Sequence, residues 1–218
     1  MATMLSIRNY YRYALQDLGN QLEKINDPAP TDDVRDKAIA EAINWYSRRV
    51  PRLSTLLLAS IPAGFYQLPN DWQMWSRMIL LEFPLNTMPP TYIPNKYFGI
   101  QATETVSNFF VNPNPTGNFR LSYTTVHGGG PDNVASVISD HEGIVGKFAA
   151  SIAADWFADR YANSVSNNLD AVQYRTKEQE WRAVAKNLRD QADVELRPAE
   201  YSQMYSSDGE ARYFKGWR

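Results

Sequence analysis

No cysteine occurs in the 218 residues, which excludes disulfide frameworks, thiolate metal sites and cysteine nucleophiles. The lack also fits a reducing compartment. Histidine is nearly as scarce, with His127 and His141 alone. A metal site needs two or three oriented ligands, and these two lack helical ligand spacing. They read as solvent-exposed or cap-region imidazoles, so no metal and no cofactor is expected. No run approaches the roughly 20 apolar residues of a membrane span. The first residues also lack a basic segment followed by an apolar run. A soluble chain made inside a cell, with no membrane partner, is expected. Neither sign of charge dominates: 22 Lys and Arg face 24 Asp and Glu, for a net charge of −2. A protein that lives by gripping phosphate backbones needs a denser basic face.

Catalytic patterns are missing as well. There is no Gly-x-Ser-x-Gly elbow and no Ser-His-Asp grouping. Gly128, Gly129 and Gly130 follow a predicted strand, yet lack the Gly-Lys-Ser/Thr ending of a phosphate loop. A hinge is the plainer reading. Asp155 and Asp159 lie one helical turn apart with Arg160 beside them, which suits a solvated or ion-paired face. No enzyme activity is expected.

What is present is a distinctive order: helices, a β-rich insert, helices again, then an aromatic and basic tail. Ile7, Tyr10, Tyr11, Ala14, Leu15 and Leu18 recur at helical spacing and predict a helix over 6–18, capped by Ser6 and ended by Gly19. Prolines break the chain at 26–30. Thr31 caps a second helix over 31–50, whose apolar stripe is Val34, Ala38, Ile39, Ala42, Ile43 and Tyr46. From Pro51 the period changes. The runs 53–59, 64–68, 75–83, 106–111 and 119–127 are rich in β-branched and aromatic residues and bounded by prolines. Residues 112–118, Asn-Pro-Asn-Pro-Thr-Gly-Asn, look like a hairpin loop. A small antiparallel sheet or partial barrel is predicted here.

Ser139 with Glu142 suggests a capping box opening a third helix over 139–161. Its Ile144, Val145, Phe148, Ile152, Trp156 and Phe157, interleaved with alanines, make it apolar around much of its circumference. Such a helix lies centrally in a bundle. A fourth helix over 169–196 carries Leu169, Val172, Trp181, Val184, Ala185 and Leu188 on one side, and Arg197-Pro198 ends it. The predicted fold is α+β. A discontinuous helical bundle (1–50 and 128–197) carries an inserted β-module (51–127) and an extended C-terminal tail (198–218).

Two aromatic groups are candidate contact surfaces. The tail holds Tyr201, Tyr205, Arg212, Tyr213, Phe214, Lys215, Trp217 and Arg218. A segment this aromatic and basic suits docking on a partner, though it also suits packing back on its own domain or fraying. In the insert, Trp72, Trp75, Tyr92, Tyr97 and Phe98 suit a subunit or tail-facing surface, a stacking platform for a ligand, or plain core.

Five segments resemble one family in the same order. They are Ala38-Ile-Ala-Glu-Ala-Ile-Asn-Trp-Tyr-Ser47 with Pro51, then Tyr66-Gln-Leu-Pro-Asn-Asp-Trp72, then Ile79-Leu-Leu-Glu-Phe-Pro84 with Pro89-Pro90-Thr-Tyr92. Leu121-Ser-Tyr-Thr-Thr-Val-His127 and Tyr174-Arg-Thr-Lys-Glu-Gln-Glu-Trp181 follow. Together they resemble the head–tail connector, or adaptor, proteins of tailed bacteriophages, over about residues 5–195. The resemblance implies a non-catalytic virion protein at the neck, assembled in the host bacterial cytoplasm. It implies a head-to-tail ring of about twelve copies beneath the portal ring. The ring would offer its other face to a downstream tail component (nozzle, terminator or stopper) while DNA passes through. A carbohydrate- or ligand-binding module of a phage tail or fibre is the alternative.

Overall fold

A computed structural model describes residues 3–22, 32–61, 64–102, 107–128, 137–164 and 171–205. Among them are four helices, α1 (Met4–Leu22), α2 (Asp32–Arg49), α3 (Glu142–Ser164) and α4 (Ala171–Tyr205). Six strands lie between α2 and α3: β1 (Arg52–Leu58), β2 (Phe65–Gln67), β3 (Met78–Glu82), β4 (Phe98–Ala102), β5 (Ser107–Val111) and β6 (Phe119–Thr125). The chain is therefore α+β. It divides into two compact units, Met1–Val50 with His127–Arg218, and Pro51–Val126.

In the helical unit, α3 packs against α1, α2 and α4. Its Val145, Ala149, Ala150, Ala153, Ala154 and Ala158 are fully or almost fully buried, so α3 is the axis of the bundle. Around it close Ile7, Tyr11 and Leu15 of α1, Ala38, Ile39, Ala42, Ile43 and Tyr46 of α2, and Trp181, Ala185, Ala192 and Leu196 of α4. Small residues let backbones approach closely. A Cβ built on Gly146 would lie 2.6 Å from Tyr10 Cβ and 3.0 Å from the Tyr11 nitrogen. Only glycine fits where α1 crosses α3.

Several helix ends differ from the sequence expectation. The cap of α1 is Thr3: its Oγ1 accepts the Ser6 N–H at 3.1 Å, and Ser6 Oγ accepts the Thr3 N–H at 3.2 Å. Ser6 is thus the inner partner of a reciprocal box. Gly19 does not stop α1, which continues to Leu22; an interior glycine costs a helix only about 1 kcal/mol. Before α3, Ser139–His141 form a 3₁₀ turn opened by Ile138, which makes no side-chain cap, so the expected Ser139–Glu142 box is absent. In α4, Val172 is exposed rather than on the packed side.

The largest correction concerns Pro198, which lies inside α4 rather than ending it. An interior proline costs about 3 kcal/mol or more. Leu196, fully buried, and Ala199, packed against the same core, outweigh that cost by continuing the apolar stripe through it. Residues 198–205 are therefore helix, not extended tail.

In the β unit two three-stranded antiparallel sheets form, with orders β1-β6-β3 and β2-β5-β4. Arg52 to Leu58 face Thr125 to Phe119 in unbroken register, whereas β3 meets β6 with a bulge between Met78 and Leu80. Residues 112–118 are not a hairpin loop, because β5 and β6 belong to different sheets. The reason lies in Asn114: its Oδ1 accepts from the Tyr66 hydroxyl at 2.7 Å and its Nδ2 donates to the Ile61 carbonyl at 2.6 Å. The loop is anchored beside β2 and delivers β6 to β1 and β3. Tyr66, Leu81, Phe109, Val111, Phe119, Leu121 and Tyr123 form the core of this unit. Strand β4 lacks a sequence expectation; its Phe-Gly-Ile-Gln-Ala run is short and holds a glycine, and pairing with β5 makes it a strand.

The breaks at 26–30, the Thr31 cap, the residues 129–131 of the hinge, Leu169 and the tail residues 206–218 lie outside the described residues.

Candidate functional site

The aromatic candidates of the insert separate into two groups. Trp72 is half-buried against the core of the β unit, its ring 5.9 Å from that of Tyr123. The preceding residue fixes it there. Asp71 accepts the Tyr123 hydroxyl at Oδ1 and the Thr125 hydroxyl at its carbonyl, each at 2.7 Å. Trp75 is half-buried in the following turn, and Phe98 is half-buried at the start of β4. Trp72 and Phe98 pack against the core of the β unit.

Tyr92 and Tyr97 behave differently. Both are exposed, and they line a cleft of about 410 Å³ with Phe83, Pro94, Pro113 and Pro115 among its walls. One wall is held to β3 by a short antiparallel bridge, in which Phe83 N–H donates to Thr91 O at 3.0 Å and Ile93 N–H to Leu81 O at 2.8 Å. The other is set by the 3₁₀ turn Asn95–Tyr97, whose Tyr97 carbonyl accepts the Asn112 N–H at 2.6 Å. Lys96 Nζ lies 4.8 Å from the Tyr97 ring centre, a cation over an aromatic face. The cleft is mostly ring faces and proline edges. Such a surface recognises partners by stacking and apolar contact. Neither Trp72 nor Trp75 lines it.

Both histidines contact Tyr46 in the helical unit, and His127 is not the exposed imidazole expected. It is buried, with its N–H donating to Ser47 Oγ at 3.0 Å and its Nε2 lying 2.7 Å from the Val50 carbonyl. A carbonyl only accepts, so Nε2 carries the proton. The imidazole thereby satisfies a carbonyl just past the end of α2. Tyr46 stands between the two rings, 5.0 Å from His127 and 5.6 Å from His141. Its Oη is 2.7 Å from His141 Nδ1. Burial lowers the pKa of His141, with Asp140 opposing. Burial pushes Tyr46 up to about 12, with a hydrogen bond from the Ile138 backbone acting the other way. A neutral imidazole whose Nδ1 accepts a hydrogen bond from the Tyr46 hydroxyl, with both groups uncharged, agrees with both directions. This is a structural joint between α2 and the turn before α3. A buried histidine was not legible in a strand-end position of the sequence, because its partners Ser47 and Val50 lie far back in the chain.

Asp155 and Asp159 are ion-paired across to α4, with Arg189 and, at 3.1 Å, with Arg182. Among the described residues no group of three or more His, Cys, Asp or Glu side chains is placed to hold a metal ion. No helix among them is long and apolar enough to cross a membrane. Of the tail candidates, Tyr201 and Tyr205 fall in the last turns of α4. Arg212, Tyr213, Phe214, Lys215, Trp217 and Arg218 lie outside the described residues. No protein-family model matches the chain, and no curated protein matches it.

Proposed function

We propose that this chain is a structural adaptor of the phage head–tail connector kind, a ring component joining a portal vertex to a tail. The observation that carries the reading is that segments resembling the family supply the joints of the fold. Tyr66 anchors the loop before β6, and Asp71 with Trp72 clasps β6. Tyr46 and Ser47 hold both histidine contacts, and Trp181 packs on Phe157 at 5.1 Å. Fold alone does not assign function, so the partner must be tested directly. In this reading about twelve copies pack head-to-tail, residues 206–218 with the end of α4 dock on the portal, and the near-neutral charge lets DNA pass without sticking.

The test is native mass spectrometry or cryo-electron microscopy of the full chain with the portal protein of the same phage. About twelve copies on one portal face are expected. A folded chain that leaves the portal ring bare overturns the reading. Deleting residues 206–218 is expected to abolish portal binding while the helical signal persists.

The exposed Tyr92 and Tyr97 favour a second reading, in which the β unit is a ligand-binding module of a tail or fibre. Glycan or peptide binding by the isolated chain that is lost in Tyr97→Ala would support it over the adaptor.

A further inference from the structure

Strand β1 is an open edge of its sheet. It pairs with β6 on one side, and among the described residues no strand, bridge or backbone hydrogen bond meets the other. The opposite edge, β3, is bulged and bridged by the segment around Tyr92. β1 has neither protection: its seven residues run in unbroken register and contain no proline or lysine. Its outward face is apolar, with Leu53 58% and Leu57 60% exposed. Native proteins blunt such edges unless the edge is used.

We infer that β1 pairs antiparallel with β1 of a second copy about a two-fold axis through Thr55. The strand itself selects this occupant. Its seven residues Arg52–Leu58 are centred on Thr55, so full-length pairing sets Leu53 against the partner's Leu57, Thr55 against its own copy, and Leu57 against the partner's Leu53. Opposed residues of an antiparallel pair share a face, so the exposed leucines meet each other. Whichever alternate set of backbone groups points outward maps onto itself under this axis, so the hydrogen-bond ladder closes. Charge agrees. Antiparallel alignment sets the two Arg52 side chains at opposite ends, whereas a parallel alignment would place them side by side. A pairing of two seven-residue strands is small beside the about 800 Å² per partner of a stable interface, so it is expected to be concentration-dependent. A two-fold pair is isologous and stands outside a single head-to-tail ring, so it is independent of the adaptor reading.

The chain has no cysteine, so an introduced thiol is the only one. Thr55→Cys places two thiols opposite each other across the axis, where antiparallel Cα spacings of about 4.5–5.5 Å suit a disulfide. In Leu57→Cys the two thiols stand about 13 Å apart along the strand, out of reach. Under mild oxidation of the full chain, Thr55→Cys is expected to crosslink at least about tenfold faster than Leu57→Cys, through its higher effective concentration. Leu53→Cys combined with Leu57→Cys is expected to crosslink as well. Sedimentation of the cysteine-free chain reads a dimer that Leu53→Lys with Leu57→Lys removes and Leu53→Lys with Leu57→Glu restores. Equal crosslinking of the two single variants means random collision and overturns the inference. A monomer at all concentrations overturns it, and so does a larger ring in which position 55 does not crosslink.

Discussion

The two units of this chain reach a buried core by different means. The helical unit is built on smallness: alanines along α3 and Gly146 bring helices into backbone contact. It is then laced by ion pairs, Arg8–Asp36 at 2.8 Å, Arg49–Asp193 at 2.5 Å and Lys147–Glu195 at 2.5 Å. These pairs are partly exposed, and such pairs contribute only about 0–1 kcal/mol each. The close packing therefore matters more than the charges. The β unit is built on bulk. Tyr66 lies between Phe109 and Phe119, with ring centres 5.0 and 4.9 Å away, and short strands are tied by side-chain clasps at Asn114 and Asp71. Strands of three and five residues hold too few ladder bonds to stand alone. Aromatic packing and polar clasps supply what length does not.

The comparison breaks first at Phe119, which is fully buried between Tyr66 and the sheet. Phe119→Ala is expected to destabilise the β unit by about 4 kcal/mol, since the ring leaves a cavity that short strands cannot collapse into. Hydrogen exchange should report lost protection in β5 and β6 with α3 and α4 retained. Equal loss in both units would show that they fold as one.

Gly146→Ala probes the other style. Helix propensity alone favours alanine by about 1 kcal/mol. The added Cβ would meet Tyr10 Cβ at 2.6 Å and the Tyr11 nitrogen at 3.0 Å, and α1 must move. Overpacking costs of about 1–3 kcal/mol exceed the propensity gain, so a net loss of roughly 1 kcal/mol is expected in denaturant titration. Gly128→Ala, with open space around it, is the control.

One substitution sharpens the contrast by changing sign between the units. The Tyr66 hydroxyl donates to Asn114 and accepts the Ile61 N–H at 3.3 Å, so Tyr66→Phe strands polar partners and should cost about 1–2 kcal/mol. Among the described residues the buried Tyr11 hydroxyl has no hydrogen-bond partner, and burial pushes its pKa up to about 12, with the Arg35 charge acting the other way. Tyr11→Phe removes that desolvated group and should stabilise the helical unit by up to about 1 kcal/mol. Thermal or urea unfolding checks both. Matching signs would mean that the polar clasps of the β unit carry no special weight.

The helical unit was the more legible of the two in sequence, for a physical reason. Helical contacts recur every three or four residues, so Ala38, Ile39, Ala42, Ile43 and Tyr46 announce a face, and all five are buried. A strand announces its alternation, as Phe119, Leu121 and Tyr123 do, but not its partner. The partners of β6 are β1 and β3, both far back in the chain, and nothing local distinguishes those pairings from a hairpin with β5. Local rules also mislead where tertiary packing outweighs them. Pro198 is carried inside α4 by Leu196 and Ala199 on either side. Among the site residues, the exposed tyrosines of the cleft and the half-buried tryptophans look alike in sequence; burial separates them.

The smallest expected effect is a pH slope, and it belongs to the helical unit alone. His141 has its folded-state pKa lowered by burial, so between that value and about 6.5 the unfolded chain binds more protons than the folded one. Stability should be fully present above pH 6.5 and fall as the pH drops through the lowered value. The groups facing the ring are Tyr46 from α2, whose hydroxyl loses its acceptor when Nδ1 is protonated, and Asp140 beside it, which opposes the shift. His141→Gln keeps a polar side chain that does not titrate. Its unfolding free energy should therefore lack the part of the slope just below pH 6.5 that the unaltered chain shows. An identical slope in both proteins would remove His141 as the titrating group. A slope seen by exchange in the strands of the β unit, rather than in α2 and the start of α3, would place the proton elsewhere.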